Sequence, residues 1–370
     1  MTPLAIPALA AGAYYLLALA AAARWSTEDD REPQEPAYEP PVSILKPVRG
    51  RDPGFYACIR SHAAQHYPEF EILFGVTDRN DPAIEDITAL QREFPDLPIS
   101  VSLITTTAPN LKAGVLAELA QIARYPVLLV NDSDIFVPPD YLRNAVAPLA
   151  DYSVGLVTCL YRAHAASWAT RMEALGIATD FAPSVMVARL LGQAEFALGS
   201  TMAFRAETLH AMGGFEKIFD YLADDYQLGR HIHSLGLHIV FADAVVETNL
   251  GAATWGQVWR HQLRWARTIR VSRTAGYVGS IITNATLWGL VALLAGAWWA
   301  AILAIGLRIA AGIWVAAEVL EDHTVVRRAL LIPIRDLFGA AVWLAGLFGK
   351  TVEWRGLTLR LRSDGKIEQD

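Results

Sequence analysis

Residues 125–142 read YPVLLVNDSDIFVPPDYL. The apolar run after Pro126 has the length and the branched side chains of a buried strand, and Pro138 and Pro139 mark a stop before a helix. Asp132 and Asp134 therefore fall where the strand leaves its sheet. In an open α/β sheet, ligands bind at that carboxyl edge.

Outward from this strand the chain alternates in period from Val42 to about Leu250. VSILKP (42–47), FEILFGV (70–76), ISVSLIT (99–105) and VGLVTCLY (154–161) read as strands. GFYACIRSHAAQ (54–65), AIEDITALQREF (83–94), LKAGVLAELAQIA (111–123) and the region of PDYLRNAVAPLA (139–150) have helical spacing. Strands alternating with helices of this length predict a doubly wound, mostly parallel α/β sheet. No internal repeat is evident. Neither G-x-G-x-x-G after the first strand nor G-x-x-x-x-G-K-[ST] occurs, so Rossmann dinucleotide and P-loop readings have no support.

The 370 residues allow two domains, or one large domain with membrane elements. The hydrophobic fraction of 53% and mean hydropathy of +0.28 are high for a soluble protein. A net charge of −7 argues against a nucleic-acid binder, which would carry a basic face. Cys58 and Cys159 lack metal-ligand spacing and read as two reduced, buried thiols.

Residues 3–23 carry no charge and are long enough to span a bilayer. No Lys or Arg precedes them, which favours an anchor over a cleaved signal peptide. The first basic residue, Arg24, follows the segment, so the next domain is expected in the cytoplasm. STEDDREPQEPAYEPP (26–41) is acidic and proline-rich and reads as a linker. From Thr274 to Ala317 only Arg308 is charged, enough for two spans turning near Trp298 and Trp299. Arg308, inside the second, should be paired. Residues 327–349 are apolar but interrupted by Pro333, Arg335 and Asp336, and read as a re-entrant or interfacial segment. The basic tail beyond should stay cytoplasmic.

Acidic residues recur at strand ends and helix starts: Asp78 after EILFGVT, Asp132 and Asp134 after VLLV, and Asp224 and Asp225 in YLADDYQLGRHI. A D-x-D pair can direct oxygens at Mg²⁺ or Mn²⁺. A further carboxylate can act as a general base. D-x-D alone is a common spacing, and Asp134 or Asp224 could instead cap a helix. Arg260, Arg264, Arg267 and Arg270 line one side of a helix at 258–270, interleaved with Trp259 and Trp265 and preceded by Trp255. Such a helix can lie on anionic lipid or close over a diphosphate. GSTMAFR (199–205) can be a tight turn or the wall of a pocket.

Taken in order, Asp78, NDSD (131–134), ADDY (223–226) and HQLRW (261–265) resemble the D, D, D, (Q/R)xxRW signature of membrane-bound family 2-like glycosyltransferases. FGVTDRNDPA, PNLK, VGLVTCLYR, GSTMAFR and LADDYQLG resemble more closely the ceramide glucosyltransferases of glycosyltransferase family 21 and the related bacterial hopanoid-associated glycosyltransferases. The likeness covers about residues 40–275.

That resemblance implies a GT-A-type catalytic domain and an inverting transfer from a UDP-sugar to a lipid hydroxyl. Asp78 would contact uracil and Lys112 would lie near the nucleotide. Asp132 and Asp134 would serve the sugar-diphosphate and its divalent metal. Asp225 would be the base, and Arg264 and Trp265 would stabilise the departing UDP. Two positions depart from the family pattern: His261 stands where Gln or Arg is usual, and Asp224 where Glu is frequent. Gly199, Thr201, Met202, Asp224 and His261 are the candidates for the acceptor pocket.

The expected organisation is an anchor (1–25), a linker (26–41), a cytosolic GT-A domain (42–252), an interfacial helix region (253–275), two transmembrane helices (276–320), a re-entrant or interfacial segment (321–350) and a cytosolic tail (351–370). The setting implied is a bacterial-type inner membrane. Glucose transfer to ceramide is the first expectation and N-acetylglucosamine transfer to a hopanoid polyol the second. A processive polysaccharide synthase would need a polymer channel, for which two or three C-terminal segments are too few. A non-catalytic lipid-binding scaffold would not need the clustered carboxylates.

Overall fold

A computed structural model describes residues 2–29, 38–354 and 356–368. Of the linker expected at 26–41, residues 30–37 lie outside the described residues.

Eight strands build one sheet: β1 (Val42–Val48), β2 (Phe70–Val76), β3 (Ile99–Leu103), β4 (Val127–Val130), β5 (Ile135–Phe136), β6 (Val154–His164), β7 (Met202–Arg205) and β8 (His238–Asn249). Their spatial order is β3-β2-β1-β4-β7-β6-β8-β5. β3, β2, β1 and β4 run parallel, as do β6 and β8. β7 lies antiparallel between β4 and β6, and β5 closes one edge antiparallel to β8. The sheet is the mostly parallel α/β sheet expected, with β7 added from the GSTMAFR stretch.

The apolar runs are continuous because helices cover both faces of the sheet. Ile44, Ile72 and Leu129 pack with Ile59 and Ile87 on one side. Their neighbours Leu45, Leu73, Leu128 and Val130 pack with Leu116, Leu119 and Leu228 on the other. The chain builds β1, β2 and β3 in one direction and then returns to lay β4 on the opposite flank of β1. That reversal makes a crevice at the carboxyl ends of β1 and β4. Cys58 and Cys159 are free and buried, as expected.

Among the described residues, three helices are long and apolar enough to cross a membrane: Pro3–Trp25, Trp298–Val319 and Ala329–Gly346. A fourth candidate, Thr274–Thr283 with Ala285–Leu294, is bent by 52° at its break. Where two spans are expected at 276–320, the chain thus has one bent pair and one straight helix. Where a re-entrant or interfacial segment is expected, Ala329–Gly346 itself meets the length and apolarity needed to cross. Pro333 sits in the first turn of the α-helical part, Ile332–Gly346, where no backbone hydrogen bond is lost. Small residues seam these helices together: Ala8, Ala11 and Ala18 pack with Ala292, Ala300 and Ala304.

The charges that interrupt the hydropathy are turned inward. Arg308 is 0% exposed and pairs with Asp336, its Nη2 lying 2.7 Å from Oδ1. Its Nη1 donates to the carbonyl of Thr179 at 2.6 Å. That carbonyl is available because Pro183, four residues on, has no N–H to offer it. The surrounding backbone, Trp168–Gly176, Ile177–Phe181 and Ala182–Leu190, is helical throughout, with a π-helical middle.

After the last apolar helix, β9 (Thr351–Trp354) and β10 (Leu357–Arg360) form a hairpin. Val352, Leu361 and Ile367 pack on Leu222, next to the acidic pair at 224–225. The tail therefore lies on the same side as the catalytic domain.

Candidate active site

The crevice opens into a cleft of about 1710 Å³. Arg49, Asp52 and Thr77 from the β1 and β2 ends line it, as do Asp132 and Asp134 from the β4 end. Gly199, Asp224 and Asp225 face them, and His261, Arg264 and Trp265 of the helix Trp255–Ser272 form a further wall. Lys112, on the helix Leu111–Ile122, also lines the cleft.

Lys112 is the hinge of the acidic cluster. Its Nζ lies 2.8 Å from Asp132 Oδ1 and 2.8 Å from Asp224 Oδ2. Burial alone would lower the pKa of this ammonium, but the two carboxylates more than offset it and hold it above the ordinary lysine value. Asn110 starts this helix with a side-chain cap on the Ala113 N–H, and its amide also donates to the carbonyl of Tyr221. Those bonds place Lys112 against the loop that carries Asp224 and Asp225.

Asp225 opens the helix Asp224–His233, where the helix dipole favours a negative charge. Its Oδ2 accepts the Gly199 N–H at 3.0 Å and its Oδ1 accepts the Tyr226 N–H at 2.7 Å. Burial, reinforced by the charge of Asp224, raises its pKa to about 6. The backbone carbonyl of Gly199 in turn accepts the Asp132 N–H. A Cβ at position 199 would lie 3.0 Å from Asp132 Oδ2 and 3.4 Å from Asp225 Oδ2, so glycine keeps the space between the two carboxylates open.

Asp134 accepts the Thr248 hydroxyl at 2.7 Å, and burial followed by the charge of Asp132 raises its pKa to about 6. Among the described residues no group of three His, Cys, Asp or Glu side chains is arranged to hold a metal. The donors present, Asp132 and Asp134, are hard oxygen ligands. They fit Mg²⁺ or Mn²⁺ bound through one or two carboxylates with substrate phosphates and water completing the shell.

Not all the candidates converge. Asp78 is exposed beyond β2 and accepts the Asn80 N–H at 2.9 Å; Thr77, not Asp78, lines the cleft. Thr201 and Met202 are buried within the sheet and do not line it either. Thr201 instead shares a 2.8 Å hydrogen bond with the Tyr141 hydroxyl.

Three residues escaped the sequence reading. Lys46, fully buried in β1, donates to the carbonyl of Asp132 at 3.2 Å and to His62 Nε2 at 3.2 Å. His62 can accept there because its Nδ1–H is committed to the Cys58 carbonyl. Burial pulls the Lys46 pKa down to about 7 despite the acidic residues nearby. Glu173, 3% exposed, accepts from His261 Nδ1 at 2.6 Å and from Gln262 Nε2 at 3.0 Å. Gln262 Oε1 then accepts from Arg335 Nη2 at 2.9 Å. The signal for Glu173 was a glutamate between Met172 and Ala174 with no basic residue three or four positions away.

An α/β sheet with a D-x-D pair at its switch point, facing an acidic helix start and backed by apolar helices, defines a glycosyltransferase of the membrane-associated kind. The chain belongs to glycosyl transferase family 21, whose model matches residues 3–367. Ceramide glucosyltransferase 1 of Caenorhabditis elegans is 27% identical over 233 residues, covering 62% of this chain and 49% of that protein. Probable glycosyltransferase YdaM of Bacillus subtilis is 23% identical over 235 residues, covering 62% and 55%. The chain thus spans about half the length of these two relatives. The mannosyltransferase PcManGT from Pyrobaculum calidifontis, solved in complex with GDP-Man and Mn²⁺, superposes with a TM-score of 0.54 at 20% identity, covering 93% of this chain and 97% of that one. That likeness shows the fold.

Proposed function

We propose that the protein transfers glucose from a UDP-sugar to the hydroxyl of a membrane lipid, ceramide first, with inversion at the anomeric carbon. The observation that carries this reading is the placement of Asp225 across Gly199 from Asp132, in a cleft that continues between the apolar helices. The donor diphosphate lies toward the D-x-D end and the acceptor reaches Asp225 from the membrane side.

Asp225 takes the proton of the acceptor hydroxyl as its oxygen attacks the anomeric carbon. The bond from that carbon to the diphosphate oxygen breaks, and UDP departs with the electron pair. One displacement converts an α-linked donor into a β-linked product. A pKa near 6 leaves Asp225 mostly ionised at neutral pH and a stronger base than an ordinary aspartate. Asp132 and Asp134 would hold a divalent cation, which when bound supplies positive charge to the diphosphate. Arg264 and Trp265 close the leaving-group side, and Lys112 keeps Asp132 and Asp224 in place. The anchor and the positive-inside pattern support a cytoplasmic catalytic domain, on the side where nucleotide sugars are made.

The test is purified protein with Mn²⁺ or Mg²⁺, UDP-glucose and ceramide, with the glycolipid read by mass spectrometry. Wild type should form β-hexosylceramide, and Asp225→Asn should bind UDP with unchanged affinity and lose turnover by about 10³-fold or more. An Asp225→Asn protein that turns over normally would sink the assignment of the base. Absence of product from wild type would sink the donor and acceptor pairing.

A further inference from the structure

The membrane-side end of the cleft has a chemistry of its own. Tyr14 of the first apolar helix, Arg335 of the last, and Asp180 and Ser184 of the 177–190 segment all line it. Asp180 is exposed toward this space, whereas Ile177, Ala178 and Thr179 beside it are buried. The π-helical turn Ile177–Phe181 inserts an extra residue into the helical repeat, a device that re-aims side chains at functional positions.

Arg335 is 5% exposed, and its Nε has no hydrogen-bond partner among the described residues. Its guanidinium lies flush on Gly176, where an added Cβ would be 2.3 Å from Nε. Asp180 is within electrostatic reach of it. Nε is thus covered by Gly176, whereas Nη1 lies against Gly339, which lines the cleft, so Nη1 is the donor a headgroup acceptor can meet. A buried guanidinium is costly unless acceptors meet its donors. Val185, Ala188, Leu191, Ala340 and Trp343 make the adjoining wall apolar.

Resting on the lipid-acceptor reading above, we infer that Asp180 and Arg335 are the specificity-determining pair for the acceptor headgroup. Arg335 donates to a carbonyl or hydroxyl oxygen, and Asp180 accepts from an N–H or O–H of the same headgroup. The class selected is a neutral lipid that carries both, as an amide or a polyol does. A phosphate-bearing lipid would satisfy Arg335 but place its charge beside Asp180. The Arg335–Gln262 bond links this subsite to the helix of His261, Arg264 and Trp265.

The experiment uses the full chain in nanodiscs, with a photoactivatable ceramide as probe and ceramide 1-phosphate as competitor, in the absence of donor. Wild type should crosslink within 177–191 or 332–343. Asp180→Asn and Arg335→Gln should each weaken ceramide binding about tenfold or more, with UDP-glucose binding unchanged. Asp180→Asn should also make ceramide 1-phosphate a better competitor. Equal ceramide binding by wild type and both variants, no ceramide binding by wild type, or equal competition by the phosphorylated lipid in wild type would each overturn the inference. Because no transfer is read, the binding pattern stands or falls apart from turnover. The expected pattern without glycolipid formation would remove the proposed activity and leave the headgroup site.

Discussion

The Nζ of Lys112 lies 2.8 Å from a carboxylate oxygen of Asp132 and 2.8 Å from one of Asp224, so a single ammonium joins the end of β4 to the start of the helix Asp224–His233. The two acidic sites come from distant parts of the chain, and their mutual repulsion is contained by this one cation.

Lys112→Met leaves both carboxylates without their ammonium. The expected cost is about 2–3 kcal/mol of stability, less than for a fully buried pair because Lys112 is partly exposed. Turnover should fall with it, since the approach of Asp225 to Asp132 is no longer held. Thermal melting and kcat measured side by side check this, and Lys112→Arg should recover part of both. A Lys112→Met protein that melts and turns over like wild type would remove Lys112 from the site.

Gly199→Ala tests the gap between the carboxylates. The new methyl would stand 3.0 Å from Asp132 Oδ2, forcing that side chain to give way. A displacement of this order at a reacting centre is expected to lower kcat by about tenfold to a hundredfold. The melting temperature should change little, because the crowding is directed into the open cleft. An unaltered kcat would mean that the space between Asp132 and Asp225 is not where the reaction occurs.

Asp225 predicts opposite pH trends for activity and stability. Its pKa is raised to about 6, and a base acts only when ionised, so the rate should fall as pH drops through about 6. For folding the sign reverses. A carboxylate held above its ordinary pKa makes the charged form unfavourable in the folded state, so its contribution to stability improves as pH falls through 6 toward the unfolded-state value. Asp225→Asn should therefore be inactive yet melt higher than wild type at pH 7.5. A lower melting temperature for the variant would contradict the burial argument.

The Arg308–Asp336 pair makes a prediction about the membrane helices. Arg308→Met strands Asp336 among apolar neighbours and should cost about 3–5 kcal/mol. Joining it to Asp336→Leu removes both charges and should restore much of that loss. Melting in detergent of the two single variants and the double variant gives the coupling energy. Additive effects would show that the two side chains do not act as a pair.

Much of the fold was legible because strand burial and helix periodicity are local properties. VLLV had to be an interior strand, and NDSD had to lie at its exit. HQLRW had to be helical by the spacing of its arginines and tryptophans. Less legible was the segment 168–190, whose helices carry apolar residues around most of their circumference and show no single polar face. The contents of the site divide in the same way. Asp132, Asp134, Asp225, Arg264 and Trp265 were recognisable as residue types in an ordered pattern, and the structure lines one cleft with them. Asp78 had the right position after a strand but points outward into its own turn.

By itself, the sequence determined where charge and apolarity alternate, and hence the strands, the helices and the ends where carboxylates collect. Only the tertiary structure decided which groups meet. Glu173 and His261 stand 88 residues apart, and Arg308 finds the Thr179 carbonyl 129 residues away. Hydropathy and periodicity act within a few residues along the chain. The partner of a buried charge is chosen by how the elements pack, where an unpaired group would be costly and one arrangement satisfies them all.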